Sequence, residues 1–343
     1  MADTLAVTRP RPSHVRHEIR VAPPRVALPT MDSREQVAKT PPPEPGSVLA
    51  VVVAFHPKPD MAGELLRLLN QVSAIVAVDN GSCPGELPAG DDPRFEGRLE
   101  IIANGENRGI ATALNQGLRR ARERGVGWAL TLDQDSAPLP NLVAAGARAF
   151  NAHPNPERLA VIGAAVASEA VASEAATDGP RHASATAYRT MRAVITSGTL
   201  HSIPAWERLG EFRDDFFIDC VDTEFCLRAR AAGFDVIQST EPALAHRIGS
   251  PTRKWALGRW MLPSNHSPLR RYYMTRNHVS LWRNYARSDG RFVAQDIRQS
   301  VREWVGIVFA ESDRVAKLGA ILAGLRDAAF GRYGPRRLPG SPH

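Results

Sequence analysis

Hydrophobic patterning starts abruptly at Val48. Residues 48–55 (Val-Leu-Ala-Val-Val-Val-Ala-Phe) form an unbroken apolar run, the length of one strand covered on both faces. His56-Pro57-Lys58-Pro59 ends it, and Leu65, Leu68, Leu69 and Val72 follow at helical spacing. Residues 74–78 form a second apolar strand closed by Asp79-Asn80-Gly81-Ser82, and residues 99–102 a third. Asn107-Arg108-Gly109-Ile110 opens a helix carrying Ala111, Leu114, Asn115 and Leu118. Residues 129–132 form the next strand and end in Asp133-Gln134-Asp135-Ser136, where Pro138 and Pro140 forbid continuation. Further on, the pattern predicts a helix over 141–150 and strands over 159–166 and 194–200. A helix over 204–209 stops at Gly210; another, N-capped by Asp222, carries Phe225, Leu227 and Ala231 up to Gly233. A strand over 234–237 follows. Two helical stripes close the chain: Val293, Ile297, Val301, Trp304, Val308, then Val315, Leu318, Leu322, Leu325.

Uniformly apolar strands alternating with helices predict an α/β fold, a mostly parallel sheet flanked by helices on both faces, with a helical C-terminal region. Ligands of such sheets bind outside the carboxyl ends of the strands. Phe55-His56, Asp79 and Asp133/Asp135 all fall at those ends, so the topology gathers them into one crevice. Residues 1–47 hold nine prolines and no hydrophobic period, which predicts a disordered tail. The expected organisation is that tail, a catalytic domain over 48–250, a basic helical region over 251–335 and a short tail over 336–343. Residues 164–187, rich in Ala, Ser and Glu, read as an excursion at the sheet edge.

Charge adds a direction. The chain is +7 overall, but residues 247–343 carry +12 and residues 48–246 carry −7. A basic C-terminal third suits diphosphate groups, an anionic membrane surface or nucleic acid, or is simply a solvated face. No nucleic-acid motif is present. Three cysteines without zinc spacing argue against a disulfide framework and suit a reducing compartment. With no secretory signal and no run long enough to span a bilayer, the expected address is the cytosol, with peripheral contact at the membrane face.

Asp133 and Asp135, two positions apart in extended chain, point to one face. Two such carboxylates repel unless a cation lies between them, and Mg²⁺ favours one or two carboxylates plus phosphate oxygens; a polar turn after a strand is the plainer alternative. Asp79 either accepts hydrogen bonds from a ligand or bonds its own turn. No Gly-x-Gly-x-x-Gly follows the first strand, which argues against a dinucleotide site. Ser197 and Gly198 form a small-residue tip that lets a bulky ligand approach the backbone. Asp222 and Glu224 are either functional or compensate a helix dipole, and a lone His246 is either structural or a ligand.

Taken in order, residues 51–55, Val78-Asp79-Asn80-Gly81-Ser82, Asn107-Arg108-Gly109 with Asn115, Asp133-Gln134-Asp135-Ser136 and Phe217-Ile218-Asp219-Cys220-Val221-Asp222-Thr223-Glu224-Phe225 resemble the inverting family 2 glycosyltransferases of GT-A fold. The resemblance runs from about residue 48 to about 285 and is closest to rhamnosyltransferases and galactofuranosyltransferase-like enzymes. It implies Asp222 as catalytic base, and Phe55, Asp79, Asn107, Arg108, Asn115, Asp133 and Gln134 around the nucleotide-sugar. It further implies Asp133, Asp135 and His246 as ligands of Mg²⁺ or Mn²⁺; Ser197, Gly198, Asp219 and Glu224 are acceptor-side candidates. The implied donor is dTDP-rhamnose, and the implied acceptor a lipid-linked or cell-surface glycan. Val221 departs from the pattern, since many relatives have an acid before the base. The cluster Leu269-Arg270-Arg271-Tyr272-Tyr273-Met274-Thr275-Arg276-Asn277-His278 either meets a pyrophosphate or acceptor, or packs as a helix. The last helices lie on an anionic bilayer, on the catalytic domain or on a second subunit of a homo-oligomer. Two rivals stand beside this reading. A nucleotidyltransferase would need a glycine-rich basic loop after the first strand. A non-catalytic polyanion- or membrane-binding module would rest on the basic tail alone.

Overall fold

The computed structural model describes residues 20–21, 40–167, 186–245, 254–256, 259–261 and 265–336. The strands are β1 (Val48–Ala54), β2 (Ala74–Asp79), β3 (Leu99–Ala103), β4 (Trp128–Asp133), β5 (Ala137–Pro138), β6 (Leu159–Ala167), β7 (Tyr188–Thr190), β8 (Thr199–Ser202) and β9 (Asp235–Ala245). They form one sheet in the order β3-β2-β1-β4-β8-β6-β9-β5, with β7 also paired to β9. Pairing is parallel from β3 through β4 and between β6 and β9; β8 runs antiparallel to both its neighbours.

The period of two predicted by the apolar runs decides which helix meets which face. Val48, Ala50, Val52 and Ala54 pack toward α1 (Met61–Leu68) and α3 (Leu142–Ala152). Leu49, Val51 and Val53 pack toward α2 (Ile110–Glu123), α4 (Ile203–Leu209) and α5 (Val221–Ala231). Register aligns the carboxyl ends, with Ala54 opposite Asp79 and Val53 opposite Asp133.

Two sequence expectations shift. The strand expected over 194–200 forms only from Thr199: before it, Thr196 gives its backbone N–H to the Asp222 carboxylate and Gly198 takes a left-handed turn (φ 74°). Asp222 is not the N-cap of α5. Cys220 holds that place in left-handed conformation, and Asp222 is the second helical residue. The ordered chain also begins before Val48: Trp128 Nε1 donates to the Pro41 carbonyl at 2.8 Å, and Arg20–Val21 pairs with Arg332–Tyr333. Most of the excursion expected over 164–187 lies outside the described residues, as do His246 and residues 337–343.

Three helices follow: α6 (Pro268–Tyr285), α7 (Gly290–Ala310) and α8 (Arg314–Ala329). Helix α6 is a core element. Tyr272, Tyr273, Arg276 and Asn277 are buried, so this part of the 269–278 cluster packs as a helix, while Arg270 is exposed. Arg271 and Lys317, both buried, pair with buried Glu311, which keeps the charges compensated inside the helical layer. On α7 the stripe divides. Val293, Ile307 and Ala310 are buried, whereas Ile297, Val301, Val305, Val308 and Phe309 are 38–48% exposed. Among the described residues no helix is long and apolar enough to cross a membrane.

Candidate active site

The sheet edge that carries Asp79, Asp133 and Asp135 is tied together by side-chain amides. The Asp79 carboxylate accepts from the backbone N–H of Gly81 and Ser82 at 3.2 and 2.8 Å, so the turn reading of this residue holds. Only Oδ1 is engaged in those bonds. Buried Asn80 donates to Asn107 Oδ1 at 3.0 Å, and its own oxygen accepts from the Arg108 N–H and from Asn104 Nδ2. Asn104 and Gln116 exchange two further amide bonds. This network joins the turn after β2 to the start of α2 and leaves Arg108 exposed at the rim. Its guanidinium has no hydrogen bond or ion pair among the described residues. Sequence reasoning missed Asn80, Asn104 and Gln116; an excess of amides around two turns was the available signal.

At the end of β1, Gln134 grips Phe55 by both backbone groups. Its Nε2 donates to the Phe55 carbonyl at 2.9 Å, and its oxygen accepts the Phe55 N–H at 2.6 Å. The Phe55 ring stays exposed beside that clamp. A cleft of about 280 Å³, counted out to open solvent, lies between α1 and the ends of β1 and β4; Asp133, Gln134 and Ser136 are in its wall. Asp133 is half-buried. Asp135 is exposed and has no hydrogen bond or ion pair among the described residues. Asp133 in the cleft wall and Asp135 exposed beside it are hard oxygen donors of the type that suits a divalent cation completing its shell with water and substrate phosphate. They do not form an all-protein cage: the group of three potential ligands that converges among the described residues is elsewhere, at His56, Cys83 and Glu86.

Asp222 is connected to the β4 acids by one short segment. Its Oδ2 accepts the Thr196 N–H at 3.2 Å and its Oδ1 the Thr223 N–H at 2.6 Å. The next residue, Ser197, bonds the Ser136 hydroxyl and accepts the Asp133 N–H at 3.3 Å. Burial pushes the Asp222 carboxyl above the usual carboxylate range, against the hydrogen bonds that lower it, and Asp219 adds to the rise. The turn before Asp222 is strained: Phe217, Asp219 and Cys220 all have positive φ. Asn277 of α6 holds it, with Nδ2 donating to the carbonyls of Phe216, Ile218 and Asp219 at 2.8–3.1 Å. Arg276 adds bonds to the Asp215 and Phe216 carbonyls. Gly109 (φ 86°) admits the turn, since a Cβ there would stand 2.7 Å from the Phe217 carbonyl oxygen. His278 braces the same turn. Its burial disfavours charge, but the Asp296 carboxylate, 2.6 Å from Nδ1, helps to hold it well above its ordinary value.

The remaining predicted residues take supporting places. Asn115 is buried and exchanges both amide bonds with the Phe212 backbone at 2.9 Å. Glu224 is buried against Arg228 and the Tyr285 hydroxyl, each at 2.9 Å. Ser197 is buried, Gly198 is a left-handed turn residue, and Asp219 pairs with Arg270 at 2.9 Å. Asn107 works through its oxygen, which also accepts the Gly109 N–H.

Comparison with known proteins bears on this arrangement. Residues 50–169 match the family described as Glycosyl transferase family 2. The dTDP-rhamnosyl transferase RfbF of Shigella flexneri is 27% identical over 248 residues, 69% of this chain and 80% of that protein. The structure of S. aureus TarS 1-349 in complex with UDP-GlcNAc superposes with a TM-score of 0.52 at 13% identity, over 83% of this chain and 81% of that one. The ligand-free TarS 1-349 structure gives 0.50. Against a longer S. aureus TarS chain, this one spans 43% of the length. Residues 50–169, which hold most of the parallel β3–β4 half of the sheet and its acids, match glycosyl transferase family 2, and the chain has a GT-A fold.

Proposed function

We propose that this domain transfers L-rhamnose from dTDP-rhamnose, with inversion, to a cell-surface or lipid-linked glycan acceptor. The observation that carries the reading is the pairing of a desolvated Asp222, its carboxyl raised, with the Asp133–Ser136 acids across the Thr196–Ser197 segment. An acceptor hydroxyl is a weak nucleophile at neutral pH and needs a base of nearly matched pKa. Asp222 accepts its proton while the oxygen bonds the sugar carbon and the bond to the diphosphate breaks. The electron pair of that bond leaves with the nucleoside diphosphate. Asp133 and Asp135 would hold Mg²⁺ or Mn²⁺; such an ion supplies charge neutralisation at the diphosphate. Arg108 offers a cation to the same oxygens. Asp79 has Oδ2 to give a ribose or base, and the exposed Phe55 ring offers a face to the base. His246, as a further metal ligand, belongs to the same proposal.

The nucleotide-sugar class draws support from the UDP-GlcNAc bound in the TarS structure, and the rhamnose from the name of the Shigella relative. The lipid-linked acceptor draws support from α7. Its exposed apolar stripe is flanked by Arg298 and Arg302, exposed and without ion pairs among the described residues. That combination suits an anionic membrane surface. The test is donor binding and hydrolysis across dTDP-rhamnose, UDP-sugars and GDP-sugars, with Mg²⁺, Mn²⁺ or EDTA. Metal-dependent preference for dTDP-rhamnose is expected. Preference for a UDP-sugar would overturn the sugar, and a folded sample binding no donor would overturn the enzyme reading.

A further inference from the structure

Two turns at the edge of the nucleotide crevice bring an imidazole, a thiol and a carboxylate together. His56 follows β1; Cys83 and Glu86 follow the turn after β2. Their ligand atoms all lie within 4.8 Å of one another. His56 Nδ1 is 3.0 Å from Glu86 Oε2, which also accepts the Cys83 N–H at 2.8 Å. Ser82 Oγ accepts the His56 N–H at 3.0 Å, so the two turns are already pinned to each other. His56 and Cys83 are exposed, leaving the site open to solvent. None of the three takes part in the transfer chemistry derived above.

We infer that His56, Cys83 and Glu86 form a second metal site, distinct from the Asp133/Asp135 acids, that takes a borderline-soft divalent cation of the zinc type. The donor set decides the ion. One nitrogen, one sulfur and one oxygen with a fourth position open is a zinc-like set, whereas Mg²⁺ and Ca²⁺ demand oxygen. Tetrahedral bonds of about 2.0–2.3 Å put ligand atoms about 3.3–3.6 Å apart. The His56–Glu86 separation is already near that range, and rotation of the exposed Cys83 side chain supplies the rest. Binding exchanges protons for metal. The Cys83 thiol loses its proton to solvent as sulfur bonds the ion, and His56 Nδ1 exchanges its contact with Glu86 for the metal, with the ring proton ending on Nε2. The ion then ties the end of β1 to the turn that carries Asp79.

The test uses the full chain, stripped with EDTA and titrated with Co²⁺, then back-titrated with Zn²⁺. Expected is one equivalent showing a thiolate-to-cobalt charge-transfer band that Zn²⁺ abolishes. Cys83→Ser should remove the band, and His56→Ala or Glu86→Gln should weaken affinity at least tenfold. Asp133→Asn with Asp135→Asn should leave the band intact. All these positions are exposed or half-buried, and unchanged circular dichroism verifies folding. Absence of the band in the wild-type chain would overturn the site. So would a band unaffected by Cys83→Ser, or affinity equal in the wild type and in His56→Ala.

Discussion

Replacing Asp222 with Asn tests the centre of the proposed chemistry. The side chain keeps its volume and loses its ability to take a proton. Loss of a positioned general base lowers turnover about 10²–10⁴-fold, which is about 3–5 kcal/mol of transition-state stabilisation. The local structure limits the collateral cost. In the wild type Oδ2 accepts the Thr196 N–H and Oδ1 the Thr223 N–H. An amide can serve only one of these as acceptor, and the other N–H then faces an NH₂ group, a penalty of about 1–3 kcal/mol. Against this, a charge that burial disfavours is removed. The folded-state pKa of Asp222 lies above its unfolded value. The wild type therefore carries no penalty below the unfolded carboxylate pKa, about 4, and acquires one as pH rises through the higher folded value. Asp222→Asn should accordingly compare more favourably with wild type in thermal unfolding near pH 7 than near pH 4. For catalysis the sign is the opposite: wild-type turnover should rise with pH as Asp222 ionises, with a midpoint above the ordinary carboxylate range. The assay is single-turnover transfer from radiolabelled donor alongside donor binding by calorimetry. Turnover within tenfold of wild type, or donor affinity lost while turnover persists, would refute the assignment of Asp222 as base.

Three further perturbations address the parts around it. Asn277→Leu removes the donor that serves the Phe216, Ile218 and Asp219 carbonyls; melting should show a loss of about 1–3 kcal/mol. Turnover should fall with donor affinity retained, and equal loss of both would mean that the turn does not act through Asp222. Arg108→Ala removes an exposed cation whose guanidinium has no partner among the described residues, so stability should change by less than about 0.5 kcal/mol. Donor affinity should weaken, and the difference from wild type should shrink in high salt. Val301→Glu on the exposed face of α7 should leave melting and soluble-acceptor turnover unchanged and reduce sedimentation with vesicles containing anionic lipid. Unaltered sedimentation would remove α7 from the membrane reading.

The sheet half of this fold was legible because its signal is local. Seven consecutive apolar residues in β1 are buried on alternate faces, and a run of that kind has few other solutions. The carboxyl-end rule then puts Asp79 and Asp133 on one edge. What the sequence did not disclose is long-range. Asn115 and Glu224 stand in motif positions, yet each points into the core, because the backbone of Phe212 and the guanidinium of Arg228 need their polar atoms. No local pattern distinguishes a motif residue that binds ligand from one that holds up its neighbour. The cap of α5 was misplaced for the same reason. Asp222 has the residue type of a cap, but Asn277, fifty-five positions away, draws three carbonyls together and winds the chain into left-handed turns two residues earlier.

That misplacement bears on how the site works. As an N-cap, Asp222 would have its side chain folded over the first turn of α5, bonded to the N–H groups of its own helix. As the second helical residue it reaches across to Thr196, and so to the Ser197–Ser136 contact at the end of β4. Asp222 is thereby tied both to its own helix, through the Thr223 N–H, and to the segment that meets the Asp133–Ser136 end of β4. The turn that permits this is strained, and its restraint comes from α6, outside the residues that match the family. Helix α6 is therefore part of the geometry of the proposed site, through the turn that Asn277 holds before Asp222. A chain ending before α6 would keep the parallel half of the sheet and the Asp133–Ser136 acids, and would lose the positioning of Asp222.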